Sequence, residues 1–301
     1  MLIRWLSPLT VLYSFSFVGG FALAAVIHAA LWLEWASSVC FILGGVTALL
    51  WYVSQYGIRQ ALVLFVVCGS LSYAAEWIGV HTGYGFGPYG YSPSFAPLVF
   101  GVPLAVPLAW CMLLVIAKAL APVRSDPSLW QGMTLAQSQS PGKRRMLRER
   151  RNRRTRLFLL PALWGATMAV ALALLLAPAA GQKRRETLSQ LPAGGSAEGA
   201  AASYAIPISN LVCWWIAALL ILSIVNYVHD EYFEAGKRAA TGTPLIPSLL
   251  LVTAESMFLT LALRSGLWGA AALNAALLAL LFLWKRRSVR SEARGARPRP
   301  R

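Results

Sequence analysis

Acidic side chains are scarce in this chain, which has only 11 Asp and Glu among its 301 residues. Charged residues of both signs make up 13% of the sequence, whereas soluble globular domains carry about 25%. Apolar residues reach 57%. This balance excludes an ordinary soluble domain and predicts a protein that lies in a membrane.

Cysteine is rare, and the few cysteines that occur show no C-x-x-C spacing. Because they stand inside apolar stretches, we interpret them as small buried side chains rather than as disulfides or metal ligands. They are Cys40, Cys68, Cys111 and Cys213.

Histidine is rarer still, with three residues, and one of them opens a run with ligand-like spacing. The run is HDEYFE, which holds His229, Asp230, Glu231 and Glu234. No second group of ligands is predicted on the same side of the membrane, so we interpret it as a solvated acidic turn and expect no metal. The chain also lacks a P-loop, H-E-x-x-H and a catalytic Ser-His-Asp order, so we expect no cofactor.

Stretches of about 20 apolar residues recur along the chain, the length that crosses a bilayer core of roughly 30 Å. Backbone polar groups in lipid must be satisfied within their own segment, so each stretch is predicted to be a helix. The predicted fold class is all-α: a polytopic helical membrane protein with about eight transmembrane helices in a single domain, residues 1–284. The predicted spans are residues 8–30, 36–55, 60–80, 98–120, 157–179, 206–228, 245–264 and 266–284.

The positive charge is strongly asymmetric along these spans. With a cytoplasmic N-terminus, 23 of the 27 Lys and Arg fall on the cytoplasmic side, which is the pattern of a multi-pass cell-membrane protein with both termini inside. The basic loop 121–156 and the basic tail 285–301, predicted to be disordered, are expected to contact anionic lipid headgroups. Residues 181–203 read as a flexible external loop. Nucleic acid is not an expected partner, because no interleaved aromatic residues accompany the basic runs.

A glycine- and tyrosine-rich segment, EWIGVHTGYGFGPYGY at residues 76–91, follows the third predicted span. Its letters match G-x-G-x-x-G, but a membrane helix precedes it where a dinucleotide site needs a strand. The segment is interpreted either as a tight turn anchored by tyrosines or as a lid over a pocket. Glu76 at its edge either reaches toward water or serves as a proton donor in that pocket.

Two further polar residues lie inside predicted spans. Glu255 is a candidate second acid or a residue that hydrogen-bonds a neighbouring helix. Asn210 stands at the head of the sixth span, on the same predicted side of the membrane as the 76–91 segment. It is expected either to bind substrate or water, or to cap its helix.

The segment EWIGVHTGYGFGPYGYS with the later GVPLAVPLAW resembles the signature of bacterial and archaeal carotenoid biosynthesis membrane proteins, which include the carotenoid ψ-end and bisanhydrobacterioruberin hydratases. The matching positions are Glu76, Gly79, Val80, Thr82, Gly83, Phe86, Gly87, Tyr89, Tyr91, Gly101, Val102, Pro103, Pro107 and Trp110. A second block, YAIPISNLVCWW, is similar at Tyr204, Pro207, Ser209, Asn210 and Trp214. Ala205 and Cys213 replace the two glycines of that block. The resemblance covers about residues 60–265.

The resemblance implies a membrane enzyme that adds water to the terminal double bond of an acyclic carotenoid, a lipid-soluble substrate, without a cofactor. Glu76, Asn210 and Glu255 are the predicted catalytic residues. Other enzymes of the carotenoid pathway are expected as partners. The predicted substrate-binding residues are Thr82, Phe86, Tyr89, Tyr91, Trp110, Tyr204 and Trp214.

One departure from the family pattern affects the predicted activity. The family shows D-x-x-x-D-P at the end of a span, whereas this chain has Ala173 and Ala177 at the two acidic positions and keeps Pro178. Two alternatives to a hydratase therefore stand: a non-catalytic member that binds carotenoid or acts as a pathway scaffold, and an unrelated lipid or solute transporter.

Overall fold

The computed structural model describes residues 7–14, 30–85, 90–91, 96–121, 159–173, 208–232, 244–264 and 268–295. These ranges contain eight helices and one short antiparallel hairpin. The helices are α1 (7–14), α2 (Ala30–Tyr56), α3 (Ile58–Thr82), α4 (Ala105–Leu120), α5 (Leu160–Ala173), α6 (Ile208–Tyr232), α7 (Leu245–Arg264) and α8 (Trp268–Gly295). The hairpin pairs β1 (Leu98–Val99) with β2 (Val102–Pro103).

Four of these helices are long and apolar enough to cross a bilayer, at Ser38–Tyr56, Ile58–Thr82, Ser209–His229 and Trp268–Arg287. Three shorter apolar helices accompany them, at Ala105–Leu120, Leu160–Ala173 and Leu245–Thr260. The prediction of an all-α helical membrane protein is confirmed.

The predicted span 98–120 is wrong in its first part. Residues 98–103 form the hairpin, whose turn holds Phe100 and Gly101 at φ 44° and 78°, and α4 begins only at Ala105. Pro103 stops a helix from running through this segment, because its ring removes a donor and clashes with the preceding turn. Pro107 is tolerated in the first turn of α4, where its missing N–H would have no helical partner.

The basic tail is also more ordered than predicted. Helix α8 continues to Gly295, so the part of the tail from Lys285 to Gly295 is helical rather than disordered. Lys, Arg, Glu and Ala are good helix formers, and proline first appears at Pro298, so nothing in the segment interrupts the helix.

Helix α4 lies at the centre of the bundle, packed against α2, α3 and α7. Every residue from Trp110 to Ala117 is buried, so the helix is covered on all sides rather than along one stripe. The approach to α2 is close: a Cβ on Gly45 would lie 2.5 Å from the Leu108 carbonyl oxygen. Small residues at such positions let two helix backbones pack tightly in a membrane.

A polar network joins α2, α3, α4 and α6 at one end of the bundle. Lys118 Nζ donates to Asn226 Oδ1 at 2.6 Å and lies 3.4 Å from His229 Nδ1, which the Tyr52 hydroxyl contacts at 2.9 Å. His229 Nε2 lies 3.3 Å from the Gln60 carbonyl oxygen. His229 therefore faces neighbouring helices, and the solvated turn predicted for it is wrong at this residue.

Several predicted features lie outside the described residues. They are the basic loop beyond residue 121, the external loop 181–203, residues 15–29 of the first predicted span, and the side chains of Asp230, Glu231 and Glu234.

Candidate functional site

Glu76 lies on the inward face of α3, near the end where the helix stops. The buried residues of this helix recur every three or four positions and form one stripe: Ala61, Leu64, Cys68, Ser72, Glu76 and Gly79. The Glu76 side chain is 4% exposed, so it does not reach out to water. The Tyr91 hydroxyl donates a hydrogen bond to Glu76 Oε2 at 2.8 Å. The segment after α3 therefore returns to the carboxyl group that precedes it.

The hairpin packs against the same end of α3. The Tyr73 hydroxyl donates to the Val99 carbonyl oxygen at 2.6 Å, and a Cβ on Gly101 would lie 3.6 Å from Val80. Val102 and Pro103 of β2 are buried. Protein covers only the β2 side of this non-helical backbone, because Leu98, Val99 and the turn residue Phe100 are exposed. The hairpin thus forms one wall beside Glu76.

The beginning of α6 forms a second wall. A Cβ on Gly85, just beyond α3, would lie 2.6 Å from Cys213 Sγ, so the segment after α3 is pressed against α6. Gly85 has a φ of 75°, a conformation that side chains rarely adopt. Both the direct contact and the backbone conformation require a residue without a Cβ at this position.

Helices α3 and α6 run antiparallel, so the position of Glu76 along α3 shows which residues of α6 lie at the same depth in the bundle. At the far end Gln60 meets His229, and Glu76 lies sixteen residues beyond Gln60, as Cys213 lies sixteen residues before His229. With a rise of about 1.5 Å per residue, both positions lie about 24 Å from that far end. Glu76 and the first turns of α6 therefore lie at the same depth.

Two polar atoms in those first turns have no partner among the described residues. They are Asn210 Oδ1 and Trp214 Nε1, both buried. The Asn210 side chain as a whole is 4% exposed. Residues four apart on a helix have Cβ atoms about 5–6 Å from each other, so an acceptor and a donor stand side by side.

The structure therefore brings four of the predicted site residues to one end of the bundle: Glu76, Tyr91, Asn210 and Trp214. Thr82 differs from these four residues, because its hydroxyl bonds to backbone atoms of its own segment. Its side chain is exposed, its hydroxyl donates to the Ile78 carbonyl oxygen at 2.6 Å, and it accepts from the Tyr84 N–H at 3.1 Å.

Four predicted binding residues remain beyond these. Trp110 is 7% exposed and belongs to the hydrophobic core around α4. Phe86, Tyr89 and Tyr204 lie outside the described residues. The binding roles of all seven residues, including Tyr91 and Trp214, stay predictions.

Glu255 belongs to a different cluster, where α5, α7 and α8 meet. Asn274 Nδ2 donates to the Ala171 carbonyl oxygen at 2.6 Å and lies 3.4 Å from Glu255 Oε1. The structure thus supports helix–helix hydrogen bonding, one of the two interpretations of Glu255. Through Asn274, hydrogen bonds connect the Glu255 carboxyl group to the stretch of α5 around Ala171. Ala173, two residues further along this helix, is buried.

Sequence reasoning missed Asn274 and the Lys118 network. The signal was present, because an amide at 274 and a cation at 118 each interrupt an apolar run. The sequence could not show which helices these residues contact. Within the ranges that the structure describes, no group of three or more His, Cys, Asp or Glu could hold a metal ion. The four cysteines are free thiols, and Cys40, Cys68 and Cys111 are buried as predicted.

Comparison with known proteins adds one positive finding. Residues 36–281, well over half of the chain, match the model of a family described as carotenoid biosynthesis proteins. Searches of curated proteins and of solved structures found no match. The matched range includes both walls of the site and all three of Glu76, Asn210 and Glu255. The chain therefore belongs to the carotenoid biosynthesis protein family, which gives it a membrane role in a carotenoid pathway.

Proposed function

We propose that this protein adds water to the terminal C=C bond of an acyclic carotenoid by acid catalysis. The observation that carries the proposal is the buried carboxyl group of Glu76, held by the Tyr91 hydroxyl at 2.8 Å. A carboxyl group in such surroundings can deliver a proton to an alkene, and the hydrogen bond fixes its orientation. Family membership sets aside the unrelated transporter.

The reaction needs two steps and one co-reactant, water. In the first step the π electrons of the terminal C=C bond take the proton of Glu76, which forms a C–H bond and leaves a tertiary carbocation. In the second step a water oxygen bonds to the cationic carbon. One proton of that water returns to the Glu76 carboxylate, which regenerates the acid. Trp214 lies in the first turns of α6 at the depth of Glu76, and aromatic faces stabilise nearby cations.

The substrate class agrees with the outer surface of the bundle around the site. Apolar side chains of α3 and α6 face outward at this depth, among them Trp77, Ile78, Val212 and Ile216. A long polyene can remain in the lipid along these helices while its end group enters beside Glu76. A site built from membrane helices suits a substrate that is dissolved in the bilayer.

The test is production of a carotenoid heavier by one water in a bacterial host that accumulates acyclic ψ-end carotenoids. Expression of this protein should yield that product by liquid chromatography and mass spectrometry. Glu76→Gln should lower its formation by roughly 10²- to 10⁴-fold, the usual contribution of a general acid. Tyr91→Phe should lower it about tenfold, as expected for one lost hydrogen bond to a carboxyl group.

The matched control is Tyr84→Phe, because Tyr84 lies in the same segment with its side chain 82% exposed. It should leave product formation unchanged. Full activity of Glu76→Gln, with the protein present in the membrane, would refute the catalytic role of Glu76.

A second candidate function is binding of carotenoid without catalysis. It is favoured by Ala173, a buried methyl group where related proteins carry an acid. In this case the purified protein would retain carotenoid from the host, and no water adduct would form in wild type or in any variant.

We further propose that the protein is a multi-pass protein of the cell membrane with both termini in the cytoplasm. The support is the uneven distribution of its 27 Lys and Arg. On this orientation the basic loop and tail contact anionic headgroups, and other enzymes of the pathway would exchange substrate at the same membrane.

A further inference from the structure

We infer that Asn210 and Trp214 hold the water molecule that attacks the substrate, at a site formed by the first turns of α6. This inference rests on the proposed hydration and names the residues for its second step. It is carried by two buried polar atoms without partners in the described part of the chain, Asn210 Oδ1 and Trp214 Nε1.

Buried polar atoms in proteins are nearly always hydrogen-bonded, and those without a protein partner are usually paired with ordered water or a ligand. The two atoms are complementary, since an amide oxygen accepts and an indole N–H donates. A group that satisfies both must offer one donor and one acceptor within a few ångströms. Water is the smallest molecule that does so.

The arrangement on α6 directs this pair into the bundle. At 100° per residue, Asn210 and Trp214 are separated by about 40° around the helix, and Cys213 lies about 60° from Asn210 on the other side. Cys213 is the residue against which Gly85 packs. The pair therefore lies beside the segment that returns to Glu76 through Tyr91, and at the depth of Glu76.

The neighbouring Trp215 shows that not every indole N–H on this helix lacks a hydrogen-bond partner. Its Nε1 donates to Thr167 Oγ1 of α5 at 3.3 Å. Two adjacent tryptophans thus differ in use: one indole N–H joins two helices, and the other faces the end of the bundle that holds Glu76.

The pair can orient water for attack. The Trp214 N–H donates a hydrogen bond to one lone pair of the water oxygen, and Asn210 Oδ1 accepts a hydrogen bond from one O–H group of the water. The second lone pair then forms the bond to the carbocation, and the proton that is released passes to the Glu76 carboxylate. Without this water the cation loses a proton to the same carboxylate and returns to an alkene.

That competition provides the experiment. Membranes that contain the protein are incubated with an acyclic ψ-end carotenoid in D₂O, and two products are measured by mass spectrometry. One is the water adduct; the other is unhydrated carotenoid that has gained deuterium from a protonated and then deprotonated end group. Asn210→Leu and Trp214→Phe should lower the ratio of adduct to deuterated alkene by about tenfold or more, because each removes one hydrogen bond to water.

Two matched controls come from the same helix. Trp215→Phe removes an indole N–H that serves helix packing, and Ser209→Ala changes an exposed side chain next to Asn210. Both should keep the wild-type ratio. Trp214→Phe retains most of the aromatic bulk, so it carries the test if Asn210→Leu does not accumulate in the membrane.

The outcomes separate the two proposals. If wild type forms the adduct and both Asn210→Leu and Trp214→Phe keep its ratio to deuterated alkene, the water site is refuted and the hydratase stands. If wild type forms no adduct, the proposed hydration fails and the water site fails with it.

Discussion

At the scale of single residues, buried polar side chains mark the functional and structural points of this bundle. Each such group costs free energy unless it finds a partner. Glu76 is bonded to Tyr91, Asn226 to Lys118, and Asn274 to Ala171 and Glu255. Asn210 is the exception among the buried carboxyl and amide side chains that the structure describes, because its oxygen has no partner there. This difference is why we assign Asn210 to chemistry and Asn274 to packing.

A residue-scale prediction concerns Gly85, which combines a positive φ with a close contact to Cys213. Gly85→Ala should reduce the free energy of unfolding by about 1–2 kcal/mol from the backbone conformation alone. Displacement of Cys213 should add to this loss and lower hydration. The measurement is thermal unfolding in detergent, together with product formation in the carotenoid host.

The control is Gly90→Ala, because a Cβ on Gly90 would meet nothing within 4 Å. This variant should behave as wild type. Gly85→Ala combined with Cys213→Ala should recover the part of the loss that comes from the contact. Equal stability of the two single variants would contradict the role given to Gly85.

At the scale of elements, hydropathy predicted most helices because apolar runs in a membrane protein are nearly always helical. The prediction for α7 agrees with the structure at both ends, and those for α3 and α6 agree within about four residues at each end. It failed at residues 98–103, where apolar content continues although the backbone does not stay helical. Gly101 and Pro103 carried that information, since both interrupt helices. The partners of Glu76 and Asn274 could not be predicted, because one sequence does not show which helices meet.

An element-scale prediction concerns the junction of α5, α7 and α8, where Asn274 donates to the Ala171 carbonyl oxygen at 2.6 Å. Asn274→Ala should lower the free energy of unfolding by about 1 kcal/mol, the order found for hydrogen bonds between membrane helices. Glu255 would also lose its described partner. The measurement is thermal unfolding in detergent.

The matched control is Leu273→Ala, because Leu273 precedes Asn274 on the same helix and is 42% exposed. It should unfold close to wild type. Glu255→Leu combined with Asn274→Leu should be less destabilised than Asn274→Leu alone, since no half-buried carboxyl group then lacks its described partner. A wild-type unfolding temperature for Asn274→Ala would show that the junction does not depend on this amide.

At the scale of the whole molecule, the two ends of the bundle are built differently. One end holds the network of Tyr52, Lys118, Asn226 and His229, which joins four helices. The other end holds Glu76, the hairpin and the first turns of α6. When a polar network holds the helices together at one end, a route for an apolar substrate can remain between the helices at the other end. On the proposed orientation, the end with this network lies toward the cytoplasm and the proposed site lies toward the outer face.

This orientation is testable on a single helix, α3, whose ends carry exposed side chains at Ile58 and Tyr84 just beyond Thr82. In a background with the four native cysteines replaced by alanine, Tyr84→Cys should react with a membrane-impermeant maleimide in intact cells from which any outer barrier has been removed. Ile58→Cys should react only after the membrane is opened, because α3 spans about 37 Å from end to end. A reporter that is active only in the cytoplasm should be active when it is fused to either terminus.

Labelling of Ile58→Cys but not Tyr84→Cys in intact cells would reverse the orientation and move the Glu76 site to the cytoplasmic side. Labelling of both would show that α3 does not cross the membrane, and the bilayer route to Glu76 would then have to be abandoned.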